Sequence, residues 1–193
     1  MLKLTLDTNC VIDLENSSEP RSGALRSLVD AAGLGLVDVA LVASSASEKQ
    51  RDGGRLDSFA KFQNRLARLG LEHLTILKPL MRFDFSYWDW CLFADGPGGD
   101  LVTLERRIHE AMFPKMPPEL AQHISKGGKE KAWRNAQCDV QIAWCHIHGN
   151  RDILVTNNTR DFQRNNKMLI ALGAKAICKP EEAAQIVAVI SRP

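Results

Sequence analysis

The chain alternates between two kinds of apolar periodicity. Its opening run MLKLTLDTN sets Leu2, Leu4 and Leu6 on one side and Lys3 and Thr5 on the other, the period-two pattern of a strand, and Asp7 stops it. Asn9 to Leu14 then reads as a short helix. Pro20 to Ala32 reads as a second, with Pro20 suited to a first turn and Gly33 to the stop. The β-branched run Leu36 to Ala43 (LVDVALVA) predicts a buried strand. The serines that follow, Ser44, Ser45 and Ser47, can start a helix with Glu48 inside its first turns. From Leu56 to Leu69 the apolar positions Leu56, Phe59, Phe62, Leu66 and Leu69 recur every three or four residues, as a helix with one buried face requires. Leu74 to Leu77 is a short strand ending before Pro79.

The regular alternation lapses between Leu80 and about Gly128, where FDFSYWDWCLF, GPGG, a helical segment Leu101–Met112, PKMPPE and KGGKEK follow one another. This stretch reads as an insertion, part helix and part loop. Regularity returns from Glu130 to His148, a helix with Trp133, Ala136, Val140, Ala143, Trp144 and Ile147 on one face and Asp139 at its margin. An apolar strand Ile153–Val155, the segment TNNTRDF, a helix at Lys167–Leu172, a strand Ala174–Cys178 and a closing helix from Pro180 complete the series. Strands separated by helices predict an α/β fold, a three-layer sandwich whose mostly parallel central sheet carries helices on both faces. Residues 1–193 then form a single domain with an insertion at about 80–128.

Composition narrows the function classes. Hydrophobic residues make up 45% and charged residues 25%, the profile of an ordinary globular protein. The formal net charge is only +2, so attraction to a polyanion has to come from local clusters of Lys and Arg. Five cysteines without CxxC spacing suggest neither a disulfide framework nor a zinc site, which fits a reducing cytoplasm. Lys3 and Asp7 interrupt the first apolar run, which argues against a secretory signal. No stretch reaches the ~20 apolar residues of a membrane span, so no membrane partner is expected.

The chemistry-bearing pattern is acidic. Asp7 follows the first strand, Glu48 the second and Asp161 the fourth, while Asp139 lies on the helix that precedes the fourth. In a parallel sheet the carboxyl ends of the strands converge on one crevice, so these four acids can become neighbours. Packed carboxylates repel unless cations lie between them. Oxygen ligands without histidine or thiolate select Mg²⁺ or Mn²⁺, as one or two ions, the ions that stabilise attacking and leaving oxygens in phosphodiester cleavage. Taken singly, each acid reads more readily as a helix cap or a solvated group than as a ligand, and the first nine residues alone favour Asp7 as a cap.

The segments LDTNCVIDL, SSASEK and CDVQIAWCHIHGNRDILVTNNTRDF together resemble the PIN domain, the metal-dependent ribonuclease family that includes the VapC-type toxins. The terminal GAKAICKPEE resembles the family's last strand and proline-led ending, and the likeness covers residues 1–79 and 129–185. It implies that Asp7, Glu48, Asp139 and Asp161 are the metal-holding catalytic acids, with Asn9, Thr156 and Asn158 as polar supports. If the helix register after the second strand differs, Asp52 or Asp57 takes the place of Glu48. The resemblance further implies an endoribonuclease leaving 5′-phosphate and 3′-hydroxyl ends, a homodimer, and, if the chain is a toxin, a small antitoxin partner. The connection between Glu48 and Asp139 departs from the toxins, because residues 80–128 are extra.

Several features keep two readings. Asn158 is either a site support or a plain turn former. The aromatic residues between Phe83 and Phe93 read first as the core of the insertion or a subunit contact and second as a base-stacking platform. Lys126, Lys129, Lys131 and Arg134 before Asp139, and Arg160 and Arg164 around Asp161, either contact RNA phosphates or form a solvated helix start. The competing whole-protein reading is a PIN-like module that holds RNA or protein without cutting. A phosphotransferase of the haloacid-dehalogenase type needs a second aspartate where Asn9 stands, and no GxGxxG follows the first strand as a dinucleotide-binding fold needs.

Overall fold

In the computed structural model, residues 1–16, 21–46, 58–83, 85–94, 96 and 98–190 are described. The strands are β1 (Leu2–Leu6), β2 (Val37–Val42), β3 (Thr75–Leu77), β4 (Ile153–Val155) and β5 (Ala176–Cys178). They form one sheet in the order β3-β2-β1-β4-β5, every neighbour parallel. The helices are α1 (Thr8–Glu15), α2 (Ser22–Gly33), α3 (Phe59–Arg68), α4 (Asp100–Met112), α5 (Leu120–Ser125), α6 (Glu130–His148), α7 (Asn166–Ala171) and α8 (Pro180–Ile190).

The two faces of the sheet follow from the two-residue period of its strands. Leu4, Leu6, Val39, Leu41, Ile153 and Val155 point into one core with the buried faces of α1, α2, α3 and α8. Val42 and Leu154 point into the other, filled by α4, α6 and α7. This is the three-layer α/β sandwich that the strand and helix alternation predicts. Helices are needed on both sides because strands buried on both faces leave no polar surface for water. Among the described residues no helix is long and apolar enough to cross a membrane.

Element ends differ from the sequence reading in instructive ways. Gly33 is the last helical residue of α2, and the chain turns at Gly35, whose φ is +70°. There the Leu36 amide donates to the Ala31 carbonyl (3.0 Å) and the Gly35 amide to Ala32 (2.9 Å), the paired bonds of a left-handed helix stop. The end of α6 repeats the device with Asn150 at φ 45°, the Arg151 amide reaching back to the His146 carbonyl (3.1 Å). That stop drops Arg151 onto the amino-terminal side of the sheet, where it is 4% exposed. Its guanidinium donates to the Leu4 carbonyl (2.7 and 3.2 Å), the Asp38 carbonyl (2.8 Å) and the Asp38 carboxylate (3.0 Å).

The insertion is not an appendage. Residue Leu80 bridges Leu92 in parallel, and α4 packs lengthwise on α6. A polar seam joins the two: the Leu80 amide donates to Gln141 Oε1 (3.1 Å), Gln141 Nε2 to Glu105 Oε1, and Arg82 Nε to the same Glu105 oxygen (2.8 Å). Trp144 Nε1 donates to the Leu101 carbonyl (3.0 Å) and Trp133 Nε1 to that of Pro118 (3.1 Å). Consequently α6 is buried all round from Ala136 to Cys138 and from Val140 to His146, not along a single stripe. Its Gln137 and Gln141, polar enough to look solvated, are fully covered. The aromatic stretch of the insertion divides. Trp90 stacks on Phe59 of α3 (centroids 4.2 Å apart) and Phe85 meets Trp133 edge-on (6.4 Å), whereas Phe83, Trp88 and Phe93 are exposed.

On the other flank of α6, His146 Nδ1 lies 3.1 Å from Thr5 Oγ1, and its Nε2 is buried with no partner among the described residues. Burial lowers this imidazole from the ordinary 6.5 to about 4, and the nearby Arg151 charge pushes the same way. The folded state therefore holds His146 neutral while the unfolded chain takes up a proton below about pH 6.5. Its contribution is complete above pH 6.5, is lost as pH falls from 6.5 to 4, and amounts to about 3 kcal/mol over that window. Urea unfolding at pH 7.5 and 4.5 should show wild type losing about that much more stability than His146→Gln. Equal losses would mean His146 titrates normally in the folded state.

Candidate functional site

The strand order reverses at β1: β2 and β3 lie on one side of it, β4 and β5 on the other. In open parallel sheets the crevice at the carboxyl ends of the strands beside such a reversal is the customary ligand position. The residues leaving β1 and β4 meet there. Asp7, 2% exposed, donates its amide to the Val155 carbonyl (3.0 Å), which carries the strand pairing one residue beyond β1. Asp7 occupies the cap position of α1, yet its side chain makes no capping hydrogen bond to that helix. Its Oδ2 accepts instead from Thr156 Oγ1 at 2.5 Å.

Thr156 is fully buried, and its hydroxyl works in both directions. While donating to Asp7 it accepts from the Asn158 amide (2.9 Å). The Asn158 side chain extends the network. Its Nδ2 donates to Asp139 Oδ2 (3.3 Å) and to Asp161 Oδ2 (3.1 Å), and its Oδ1 accepts from the Asp161 amide (3.0 Å). Asn158 thereby caps the turn Thr159–Gln163, as the turn-former reading expects, and also bridges two carboxylates. Asp7 from β1, Asp139 from α6 and Asp161 from the turn after β4 are thus joined through two side chains of the TNN segment. Asn157 points elsewhere, to Asp13 of α1 (2.5 Å).

A neighbouring polar layer comes from β2. Thr8 Oγ1 donates to Ser45 Oγ (2.8 Å), and Cys138 Sγ approaches the Ser44 carbonyl (3.7 Å), tying the end of β2 to β1 and to α6. Sequence reasoning gave Thr8, Ser44 and Ser45 no part in the site. Their signal is that all three are small polar residues at strand ends that the fold buries. Among the buried side-chain oxygens of the described residues that lack a partner are Asn9 Oδ1 and Ser44 Oγ. Glu48, with its substitutes Asp52 and Asp57, lies outside the described residues, as do Pro20, Ser47 and Leu56. Cys10 is no nucleophile, because burial, and secondarily the Asp7 charge, push its thiol well above the usual cysteine range.

A divalent ion suits this donor set in chemistry. Asp7, Asp139 and Asp161 all offer hard carboxylate oxygens, with no thiolate or imidazole in the network that joins them. Among the described residues no three acidic, histidine or cysteine groups are close enough to hold an ion by themselves. Asp139 and Asp161 form the adjacent pair, and Asp7 is linked to it through Thr156.

Asp139 and Asp161 also line a cavity of about 700 Å³ that opens toward the insertion. Of the basic residues singled out from sequence, Arg160 and Arg164 line it. Lys129, Lys131 and Arg134 do not; Arg134 pairs with Glu130 one turn earlier (2.7 Å). Arg160 is 87% exposed and stands 3.9 Å from Asp161 Oδ1, a contact too solvated to hold the acid in place. Lys115 and His123 of the insertion complete the wall and were not foreseen.

The Thr156 hydroxyl can be tested in isolation. Thr156→Val keeps the shape and removes the link between Asp7 and Asn158. We expect a fall of about 10–100-fold in divalent-metal affinity by calorimetry, the usual effect of losing a group that orients ligands. Thr156→Ser should retain most of it, and equal affinities for all three proteins would show that the hydroxyl positions nothing. Compared with known families and curated proteins, the chain matches no family model and no curated sequence.

Proposed function

We propose that the protein is a Mg²⁺- or Mn²⁺-dependent endoribonuclease of the PIN type. The observation that carries this reading is the tie of Asp7, Asp139 and Asp161 through Thr156 and Asn158 at the β1/β4 reversal point. Three acids from distant parts of the chain share one network there, and nothing in the packing of the two cores requires them to.

In this reading the chain's own residues do the following. Asp139 and Asp161 concentrate negative charge at the mouth of the cavity, which attracts a divalent cation. Thr156 and Asn158 fix their orientation and that of Asp7. Arg160 and Arg164 face the same cavity and hold phosphate oxygens of the substrate. Mg²⁺ or Mn²⁺, when bound, supplies the charge that activates water and stabilises the departing 3′ oxygen. Glu48 belongs to the proposal as a fourth acid. A second copy of the chain and, for a toxin, a small antitoxin are its proposed protein partners.

The test is incubation of purified protein with varied RNAs in Mg²⁺ or Mn²⁺, with EDTA and Asp7→Asn as controls, alongside Mn²⁺ calorimetry. Expected are metal-dependent cleavage and measurable Mn²⁺ binding, both lost in Asp7→Asn. RNA binding without cleavage and without Mn²⁺ uptake would replace the nuclease with a holding module.

A further inference from the structure

The 700 Å³ cavity at Asp139 and Asp161 does not end at the insertion. A second cavity of about 310 Å³ abuts it, and the two share Phe113, Pro114, Lys115 and Met116 as a common ridge. Beyond the ridge the second cavity is lined by Arg106 and Lys126, with Glu110 the acidic residue among them. The two cavities therefore flank one ridge: Asp139 and Asp161 line the first, Arg106 and Lys126 the second, and Lys115 lines both.

Three features suit this surface to a polyanion. Lys115, Arg106 and Lys126 are exposed and make no ion pair with any described residue, as is also true of Arg107, Lys129 and Lys131, so their charges are available to a ligand. The ridge is also held rigidly. The Phe113 amide donates to the His109 carbonyl (2.7 Å), the Met116 amide to that of Phe113 (2.9 Å), and His109 Nε2 donates to the Met116 carbonyl (2.7 Å). Gln137 Nε2 then donates to His109 Nδ1 (3.3 Å), which fastens the ridge to α6 one half-turn before Asp139. Finally, the ridge puts half-buried Phe113 and Met116, each packed on its inner side against a core cluster, beside the cation. A charged groove that tracks a backbone, interleaved with faces on which bases can lie, is the signature of single-strand recognition. A duplex hides its base faces and gains nothing from such side chains.

We propose that the 80–128 insertion is the strand-binding wall of this site: Lys115, and beyond it Arg106 and Lys126, hold backbone phosphates of a single-stranded RNA that leads away from the aspartates. The proposal rests on reading Asp7, Asp139 and Asp161 as a cleavage centre. It adds that recognition outside the reacting linkage comes from a part of the chain with no counterpart in the toxins it resembles.

The experiment is fluorescence anisotropy of a 5′-fluorescein single-stranded RNA of about twelve nucleotides, a length within the range that such grooves cover. The full chain is used in EDTA across a salt series. Lys115→Glu should raise Kd about tenfold, and the triple variant Arg106→Glu, Lys115→Glu, Lys126→Glu should lower the slope of log affinity against log salt by about 2, near 0.7 for each phosphate no longer held. The corresponding triple glutamine variant reports the same slope change if charge reversal disturbs folding. A hairpin duplex of equal length should bind more weakly than the single strand. An unchanged Kd and slope in both triple variants, absence of RNA binding by the wild type, or duplex binding as tight as single-strand binding overturns the proposal. Failure of the cleavage reading looks different: RNA is held through Lys115 but never cut in Mg²⁺ or Mn²⁺. Failure of this one leaves cutting intact with affinity indifferent to the insertion.

Discussion

Asp139→Asn is expected to lower RNA cleavage by about 10³-fold while moving the melting temperature by no more than ~2 °C. The two halves of that expectation have separate physical grounds. Asp139 is half-buried on α6 and accepts at Oδ2 from the Asn158 side-chain amide (3.3 Å). Asparagine presents a carbonyl oxygen in the same place, so this hydrogen bond and the helix survive. The full negative charge does not survive. A cation bound there loses one of its anionic ligands, and the transition state loses about 4 kcal/mol of stabilisation, the order that metal charge contributes in phosphodiester cleavage. Initial rates in Mg²⁺ and in Mn²⁺, normalised to Mn²⁺ bound by calorimetry, are the measurement. A rate equal to wild type would assign the cutting to a contaminant and remove the acids from the mechanism.

The second large effect concerns stability and lies at the opposite end of the sheet. Arg151→Ala should destabilise the fold by about 3–5 kcal/mol, the range for removing one member of a buried ion pair, and lower the melting temperature by roughly 10 °C. Arg151 satisfies two main-chain carbonyls, those of Leu4 and Asp38, as well as the Asp38 carboxylate. Its loss removes a donor from both carbonyls and leaves the Asp38 carboxylate with the Thr75 hydroxyl (3.3 Å), and a buried acceptor left without its partner costs about 1–3 kcal/mol. The Asp38→Ala, Arg151→Ala double variant should cost less than the sum of the singles, because the carboxylate left without Arg151 is gone while the two carbonyls are not. Strict additivity, measured by urea unfolding at pH 7, would mean that Asp38 and Arg151 are not energetically coupled.

Much of the fold can be read locally. α6 spans Glu130–His148 and β4 spans Ile153–Val155, as their apolar periods predict, because a long or strongly apolar pattern leaves few alternative conformations. Within the insertion, α4 matches its expected helix to one residue, whereas α5 has no buried residue to give it a period and no local pattern pairs Leu80 with Leu92. The burial of Gln137 and Gln141 has no local signal either: a helix period shows which face is apolar, not whether a second layer will cover the polar one.

The cations teach a similar lesson. Lys131 is near Asp139 in sequence, but eight helical residues carry it roughly 12 Å along the axis. Lys115 is remote in sequence and lies on the cavity wall. Asp7, by contrast, is a candidate already in the first nine residues, since a strand that stops in a carboxylate is a local pattern, although those residues alone favour a helix cap, a hydrogen bond its side chain does not make.

The sequence by itself determined the layers and the strand faces, because periodicity and strand ends are written in residues a turn or less apart, and it nominated Asp7, Glu48, Asp139 and Asp161 as candidate acids. Only the tertiary structure decided that β1 lies between β2 and β4, that Thr156 and Asn158 join Asp7, Asp139 and Asp161, and that the insertion walls the cavity beside them. Strand order and docking are settled by which apolar faces bury one another across the whole chain, and no local stretch carries that information.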